Sequence, residues 1–140
     1  MIIEKTFDEI LEGDTTCFEV HIDENLVQAF SDLSGDQNPL HMEESFAQKT
    51  IFGKRVAHGM LGGSLFSRLI GMHLPGLKSL YLSQSLFFRK PIYLGTTVIV
   101  SGTIVQKIES MKTVKIETVI RDSKIGDILT DGEAIVKVLL

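Results

Sequence analysis

One segment of this 140-residue chain, from about His58 to Leu74, is apolar on nearly every side of a predicted helix. Arg68 is its one clear charge, and Pro75-Gly76 follows its end. A helix that is hydrophobic all round is expected to be enclosed by the rest of the protein. Glycines disfavour a helix, so those at positions 62, 63 and 71 indicate that a sheet, a partner or a ligand comes close to it.

The chain after this helix carries one strand signal after another, rich in Val, Ile, Thr, Tyr and Phe. We predict strands at about 79–89, 97–108, 112–121 and 125–139. The breaks between them are short, which favours antiparallel neighbours. A single helix covers only one face of a sheet, so the sheet should curl around it. The sequence therefore predicts an α+β fold, with one domain over residues 1–140.

The chain before the central helix alternates between strand, helix and turn signals. Alternating apolar residues at 18, 20 and 22 predict a half-buried strand. Asp23 has the character of an N-cap for a helix that should end at Gly35. Asn38 is a good N-cap and Pro39 a good first helical residue, so a second, short helix should begin there.

Composition excludes several classes of function. The net charge is −4 and the basic residues are scattered, which argues against a nucleic-acid partner. No apolar run is long enough to span a bilayer, and the first residues lack the pattern of a signal peptide. The one cysteine, Cys17, excludes an internal disulfide and fits a reducing, cytoplasmic location. The four histidines lack metal-ligand spacing, so we expect no metal.

An acid/base pair lies in the turn between the first two predicted helices. Asp36 and His41 are five residues apart across a sharp chain reversal. Gly59 then opens the apolar helix, where free N–H groups can bind a developing negative charge. Each residue alone has an ordinary explanation as a turn carboxylate, a surface histidine or a glycine at a helix start. Together they indicate proton transfer on a carbonyl compound.

Three motifs carry a family resemblance that runs from about Phe30 to the C-terminus. They are Asp36-Gln-Asn-Pro-Leu-His41, His58-Gly-Met60 and the segment Tyr81–Pro91. This combination resembles the MaoC-like (R)-specific enoyl-CoA hydratases. The resemblance implies a hot-dog fold, in which an antiparallel sheet wraps around a central helix and a segment with the active site overhangs it. It also implies a homodimer.

The same resemblance implies a reaction and its site residues. The family adds water to trans-2-enoyl-CoA to give (R)-3-hydroxyacyl-CoA, or runs the reverse dehydration. Asp36 and His41 would be the catalytic pair, and the Gly59 N–H would bind the thioester carbonyl. The pattern leaves open which member of the pair is the base. The CoA belongs to the substrate, and no separate cofactor is expected.

Other residues have two interpretations each. Asn38 could cap its helix, orient the water, or both. Ser67 and Ile70 are spaced to face one side of the central helix, where they could line an acyl pocket or pack in the core. Arg89 and Lys90 could meet CoA phosphates or end a solvated strand.

Two rival functions remain from the sequence. An acyl-CoA thioesterase can share this fold, because fold does not determine function. Many such thioesterases place a carboxylate on the central helix, and none occurs here from Gly59 to Leu74. A non-catalytic acyl-CoA-binding protein would need the pocket and the helix end, but it would not need Asp36 and His41.

Overall fold

The computed structural model describes residues 1–139, which form a mixed set of helices and strands. In chain order the elements are β1 (Thr15–His21), α1 (Glu24–Ser34), α2 (Pro39–Met42), α3 (Glu44–Ala47), α4 (Gly59–Arg68), β2 (Ser79–Gln84), β3 (Phe87–Phe88), β4 (Thr97–Ile108), β5 (Thr113–Asp122) and β6 (Ile128–Val138). None of the helices within these residues is long and apolar enough to cross a membrane.

The six strands form one antiparallel sheet with the order β1-β4-β5-β6-β2, and β3 pairs with β6 beside this path. The long strands alternate between buried and more exposed residues, as strands with one covered face do. On β4 the buried positions are Val98, Val100, Gly102 and Ile104. The covered face therefore lies on one side of the curved sheet, where α4 packs.

The helix α4 lies close against the sheet because glycines stand at the points of contact. A Cβ atom on Gly102 of β4 would lie 2.9 Å from Leu69, the residue directly after α4, and one on Gly62 of α4 would lie 3.5 Å from Ile120 of β5. Phe66 and Leu69 are fully buried in the same core cluster. The predicted sheet around a central helix is confirmed, and the architecture is the hot-dog fold.

Two features of the central helix differ from the prediction. It is α-helical only to Arg68, and a π-helical turn from Leu69 to His73 completes it. It is also not enclosed on every side, because Met60, Ser64 and Ser67 are exposed. The sheet covers only the opposite face of the helix, and this face stays open as the wall of a groove.

The predicted strand at 79–89 is wrong as one continuous element. The pairing of β2 with β6 shifts register between Tyr81 and Ser83, and β2 ends at Gln84. The chain then passes so close to β6 that a Cβ atom on Gly132 would lie 1.8 Å from the Ser85 carbonyl oxygen. The irregular backbone at this point interrupts the ladder, and only Phe87–Phe88 resume it.

Candidate active site

The turn between α1 and α2 is built from its own side-chain hydrogen bonds. Gly35 ends α1 with a φ of 79°, which favours glycine, and its N–H donates to the Ser31 carbonyl. Asp36 Oδ1 accepts the Asn38 N–H at 3.1 Å. Asn38 Oδ1 in turn accepts the Leu40 N–H at 3.0 Å, which caps α2 as predicted. Asp36 is thereby held with its second carboxylate oxygen, Oδ2, directed away from the turn.

His41 lies on α2 and is held by the segment that precedes α4. Its Nδ1 lies 2.6 Å from the Val56 carbonyl oxygen, which can only accept, so Nδ1 carries a proton. The His41 carbonyl accepts a hydrogen bond from Arg55 Nε at 2.6 Å. The Arg55 guanidinium also binds both oxygens of Glu24, at 2.6 and 3.1 Å. These contacts fix the ring and leave Nε2 free on the side of Asp36.

The two reactive atoms are close but not in contact. Asp36 Oδ2 and His41 Nε2 are 4.0 Å apart, with side-chain exposures of 49% and 16%. This separation is too long for a direct hydrogen bond. One water oxygen can lie within hydrogen-bonding reach of both atoms, since that reach is about 2.6–3.2 Å. The pair can therefore hold a single water molecule and donate to or accept from it.

The amino end of α4 lies beside this pair and is open. His58 occupies the N-cap position, yet its side chain makes no capping hydrogen bond. The first N–H groups of a helix have no partner within the helix, so those of Gly59 and Met60 are available to a ligand. Both residues line a cavity together with His41. This helix end can stabilise negative charge on an oxygen.

Three adjoining cavities lead through the site. The first, of about 470 Å³, runs from Arg89 and Lys90 to His41, Gly59 and Met60. The second, of about 360 Å³, adds Asp36 and His58 to the same three residues. The third, of about 410 Å³, is an apolar groove that begins at Phe30 and Met60. Together they give a path with cations at one end and an apolar wall at the other.

The apolar groove lies along the open face of α4. Ser64 and Ser67 line one wall, and Tyr81, Gln84 and Leu86 line the other. The Tyr81 hydroxyl donates to Gln84 Oε1, and Gln84 Nε2 donates to Thr118 Oγ1 at 2.9 Å. Burial raises the pKa of Tyr81 to about 12. The tyrosine therefore remains a neutral donor at ordinary pH.

The structure brings most of the predicted site residues together. Asp36, His41 and Gly59 line the central cavities, and Ser67 lines the apolar groove. Ile70 does not join them, because it is buried in a core cluster with Ile104 and Ile116. The side chain of Asn38 serves α2 as a cap.

The two cations at the outer end of the path already have partners. Arg89 Nε lies 3.1 Å from Asp131, and Lys90 Nζ lies 2.8 Å from Asp127. All four side chains keep substantial solvent exposure, so these surface pairs are weak and can exchange for a phosphate. Arg89 uses only Nε in its pair and Lys90 has three N–H donors, so both also keep N–H groups that can meet a phosphate directly.

His58 and Phe88 belong to the motifs named above, but the sequence predicts no role in the site for either of them. His58 lies against the turn between α1 and α2, with its ring centroid 4.1 Å from that of His41. Phe88 covers the helix start, since a Cβ atom on Gly59 would lie 3.0 Å from its ring. A long-range contact places each of them, and periodicity does not reveal such contacts.

Asp36, His41 and His58 are also the one group among residues 1–139 whose potential metal ligand atoms gather, within 4.8 Å of one another. Nitrogens of both histidines are already hydrogen-bonded to carbonyl oxygens, His41 through Nδ1 and His58 through Nε2. The expectation of a site without metal stays a prediction.

Comparisons with known proteins match most of the chain. The family model described as "MaoC like domain" matches residues 9–124. An (R)-specific enoyl-CoA hydratase of Rhodospirillum rubrum is 36% identical over 94% of this chain and 90% of its own length. One of Aeromonas caviae is 41% identical over 79% of this chain and 82% of its own. The unliganded R-hydratase PhaJ1 of Pseudomonas aeruginosa superposes with a TM-score of 0.93 at 33% identity, covering 99% of this chain and 88% of that one.

Proposed function

The chain belongs to the MaoC-like family, and on this premise we propose that it is an (R)-specific enoyl-CoA hydratase. It adds water to a trans-2-enoyl-CoA to give the (R)-3-hydroxyacyl-CoA, and it catalyses the reverse dehydration. The observation that carries the proposal is the 4.0 Å separation of Asp36 Oδ2 and His41 Nε2 beside the open end of α4. That arrangement supplies the two things that hydration of an enoyl thioester needs.

The first need is proton transfer to and from water. A water between Asp36 and His41 gives up one proton to the pair while its oxygen attacks the β-carbon. The pair delivers one proton to the α-carbon, so it ends the cycle as it began. The substrate undergoes no net oxidation or reduction, and the reaction needs no cofactor besides the CoA of the substrate. Asp36 and His41 act together on the same water molecule.

The second need is a place for the charge that develops on the thioester oxygen. The N–H groups of Gly59 and Met60 bind this oxygen at the start of α4. Removal of one such donor costs about 2.7–4 kcal/mol in other enzymes, so this contact is comparable in size to the proton transfer. The acyl chain then extends into the apolar groove along Ser64 and Ser67.

The assay that tests the proposal uses crotonyl-CoA and the purified protein. We expect the enoyl absorbance to fall and chiral analysis to find the (R) product. Release of free CoA, detected with a thiol reagent, would instead identify a thioesterase. Binding without either reaction would identify an acyl-CoA-binding protein. The same assay with longer enoyl chains reports how far the groove accepts the acyl group.

The proposal includes a homodimer in the cytoplasm. A single chain leaves Met60, Ser64 and Ser67 of the central helix exposed, and the edge strand β2 borders the same groove. A second copy can cover such surfaces, and most soluble oligomers are homodimers. The lone cysteine fits a reducing compartment. Light scattering of the purified protein measures the assembly directly.

A further inference from the structure

We propose that His58 is a positioning residue, which holds Asp36 and His41 in the geometry that the proposed hydration needs. The inference rests on that function. His58 is almost completely buried, with 2% of its surface exposed. Its Nε2 lies 2.9 Å from the backbone carbonyl oxygen of Asp36. A carbonyl oxygen can only accept, so the His58 proton lies on Nε2 and is donated to the catalytic turn.

The ring of His58 also contacts the second member of the pair. Its centroid is 4.1 Å from that of His41, with 32° between the planes. On another side it meets Phe30 at 4.9 Å. His41 is therefore fixed twice, through Nδ1 at the Val56 carbonyl and through its face against His58. One buried side chain thus contacts both residues that would move protons.

The second ring nitrogen of His58, Nδ1, does not cap the helix that His58 precedes. His58 Nδ1 is buried and has no hydrogen-bond partner. Buried polar atoms are nearly always paired, so an unpaired one calls for a reason. Asp, Ser or Asn at this N-cap position would satisfy an N–H of the first turn. His58 instead serves Asp36, and it leaves the N–H groups of α4 open for the thioester oxygen.

Substitutions that separate the hydrogen bond from the bulk of the ring test this role. In His58→Leu, the donor to Asp36 is lost and a buried apolar side chain remains. We expect kcat to fall about 10- to 100-fold with KM nearly unchanged, because small misplacements of reacting groups have effects of this size. His58→Gln carries an amide donor as many bonds from the backbone as Nε2, so it should retain a clearly higher kcat than His58→Leu.

A matched control is available at the other end of the central helix. The His73 ring stacks on Phe18 at 5.2 Å, far along the chain from the catalytic turn. His73→Leu should leave kcat and KM close to those of the unmodified protein. A folded His58→Leu with normal kcat would overturn the proposal. Equal losses in His58→Leu and His58→Gln would do so as well.

A double-mutant cycle shows whether His58 acts through Asp36. In an Asp36→Asn background, His58→Leu should lower the residual kcat much less than in the unmodified protein. Equal factors in both backgrounds would mean that His58 acts independently, which contradicts the proposal. If the unmodified protein fails to hydrate enoyl-CoA, the proposed function itself is wrong. This result is distinct from both outcomes of the double-mutant cycle.

One measurement needs neither turnover nor a variant. Spectra of protein labelled with ¹⁵N-histidine assign the protonated nitrogen of each ring. We expect the His58 proton on Nε2 at neutral pH. A ring with its proton on Nδ1 and none on Nε2 would lack the hydrogen bond to Asp36 and overturn the inference, whether or not His58→Leu folds.

Discussion

At the scale of single residues, the two carboxylate oxygens of Asp36 have separate tasks. Oδ1 accepts the Asn38 N–H and shapes the turn, while Oδ2 faces His41 Nε2. Asp36→Asn can keep the first task, because an amide oxygen also accepts the backbone N–H in such a turn. It loses the second task, because the other atom becomes a donor. This substitution therefore separates the proposed catalytic role of the residue from its structural role.

We expect Asp36→Asn to lower kcat about 10²- to 10⁴-fold, the range typical of positioned proton-transfer groups. His41→Ala should have an effect of the same order. The melting temperature of Asp36→Asn should stay close to that of the unmodified protein. Steady-state kinetics with crotonyl-CoA and thermal unfolding measure the two effects. Near-normal rates in both variants would refute the assignment of the pair.

Tyr81 provides a pH prediction at the same scale. Burial raises its pKa to about 12, while an unfolded chain ionises tyrosine near 10. The stability that comes from the neutral form is complete below about pH 10 and is lost as the pH rises towards 12. Urea unfolding across this range should show a steeper loss of stability for the unmodified protein than for Tyr81→Phe. Parallel curves for the two proteins would contradict the raised pKa.

The residue scale also shows what sequence alone could predict. Asp36, His41 and Gly59 could be identified because they belong to short motifs around a turn and a helix start. The positions of His58 and Phe88 could not be predicted, because they depend on long-range contacts. His58 contacts Asp36, 22 residues earlier in the chain, and Phe88 lies against Gly59. Ile70 has the spacing of a pocket residue, but whether it faces a groove or the core depends on packing.

At the scale of elements, the glycines of the central helix differ in what surrounds them. A Cβ atom on Gly59 would lie 3.0 Å from two ring carbons of Phe88, whereas one on Gly71 would meet nothing within 4 Å. Neither residue has a positive φ, so alanine fits the backbone at both positions. The two positions therefore form a matched pair within one helical segment.

We expect Gly59→Ala to reduce kcat/KM, because the added methyl lies at the N–H groups that would bind the thioester oxygen and pushes Phe88 aside. Gly71→Ala should leave kcat/KM unchanged and raise the free energy of unfolding by about 0.4–1 kcal/mol. Steady-state kinetics and urea unfolding of both variants provide the comparison. Equal activity in the two variants would argue against an oxyanion site at Gly59.

The elements were easier to predict than their interruptions. The caps of α1 and α2 could be predicted because Asp23, Gly35 and Asn38 each form a hydrogen bond with a backbone group two to four residues away. The break between β2 and β3 depends on the neighbouring strand, where Gly132 leaves room for the Ser85 carbonyl. The open face of α4 could not be predicted either. An apolar composition indicates that a helix is buried, but it does not show whether the same chain, a ligand or a second chain buries each face.

At the scale of the whole molecule, the sheet has two edges with different surfaces. The edge strand β1 exposes Cys17, Glu19 and His21, which are mostly polar. The other edge strand, β2, exposes Leu80 and Leu82, with 47% and 50% of their surfaces accessible. The open groove along α4 borders the same strand, because Tyr81 and Gln84 line it. An unpaired apolar edge favours association with another chain.

We therefore expect the proposed homodimer to form through the β2 edge. Leu82→Lys places a charge on this edge and should shift the protein towards monomers, because charged side chains block pairing between edges. Glu19→Lys on β1 is the matched control and should leave the dimer intact. Light scattering over a range of concentrations measures the mass of each variant. A dimer that survives Leu82→Lys and dissociates with Glu19→Lys would place the interface at β1, and a monomeric unmodified protein would exclude the dimer.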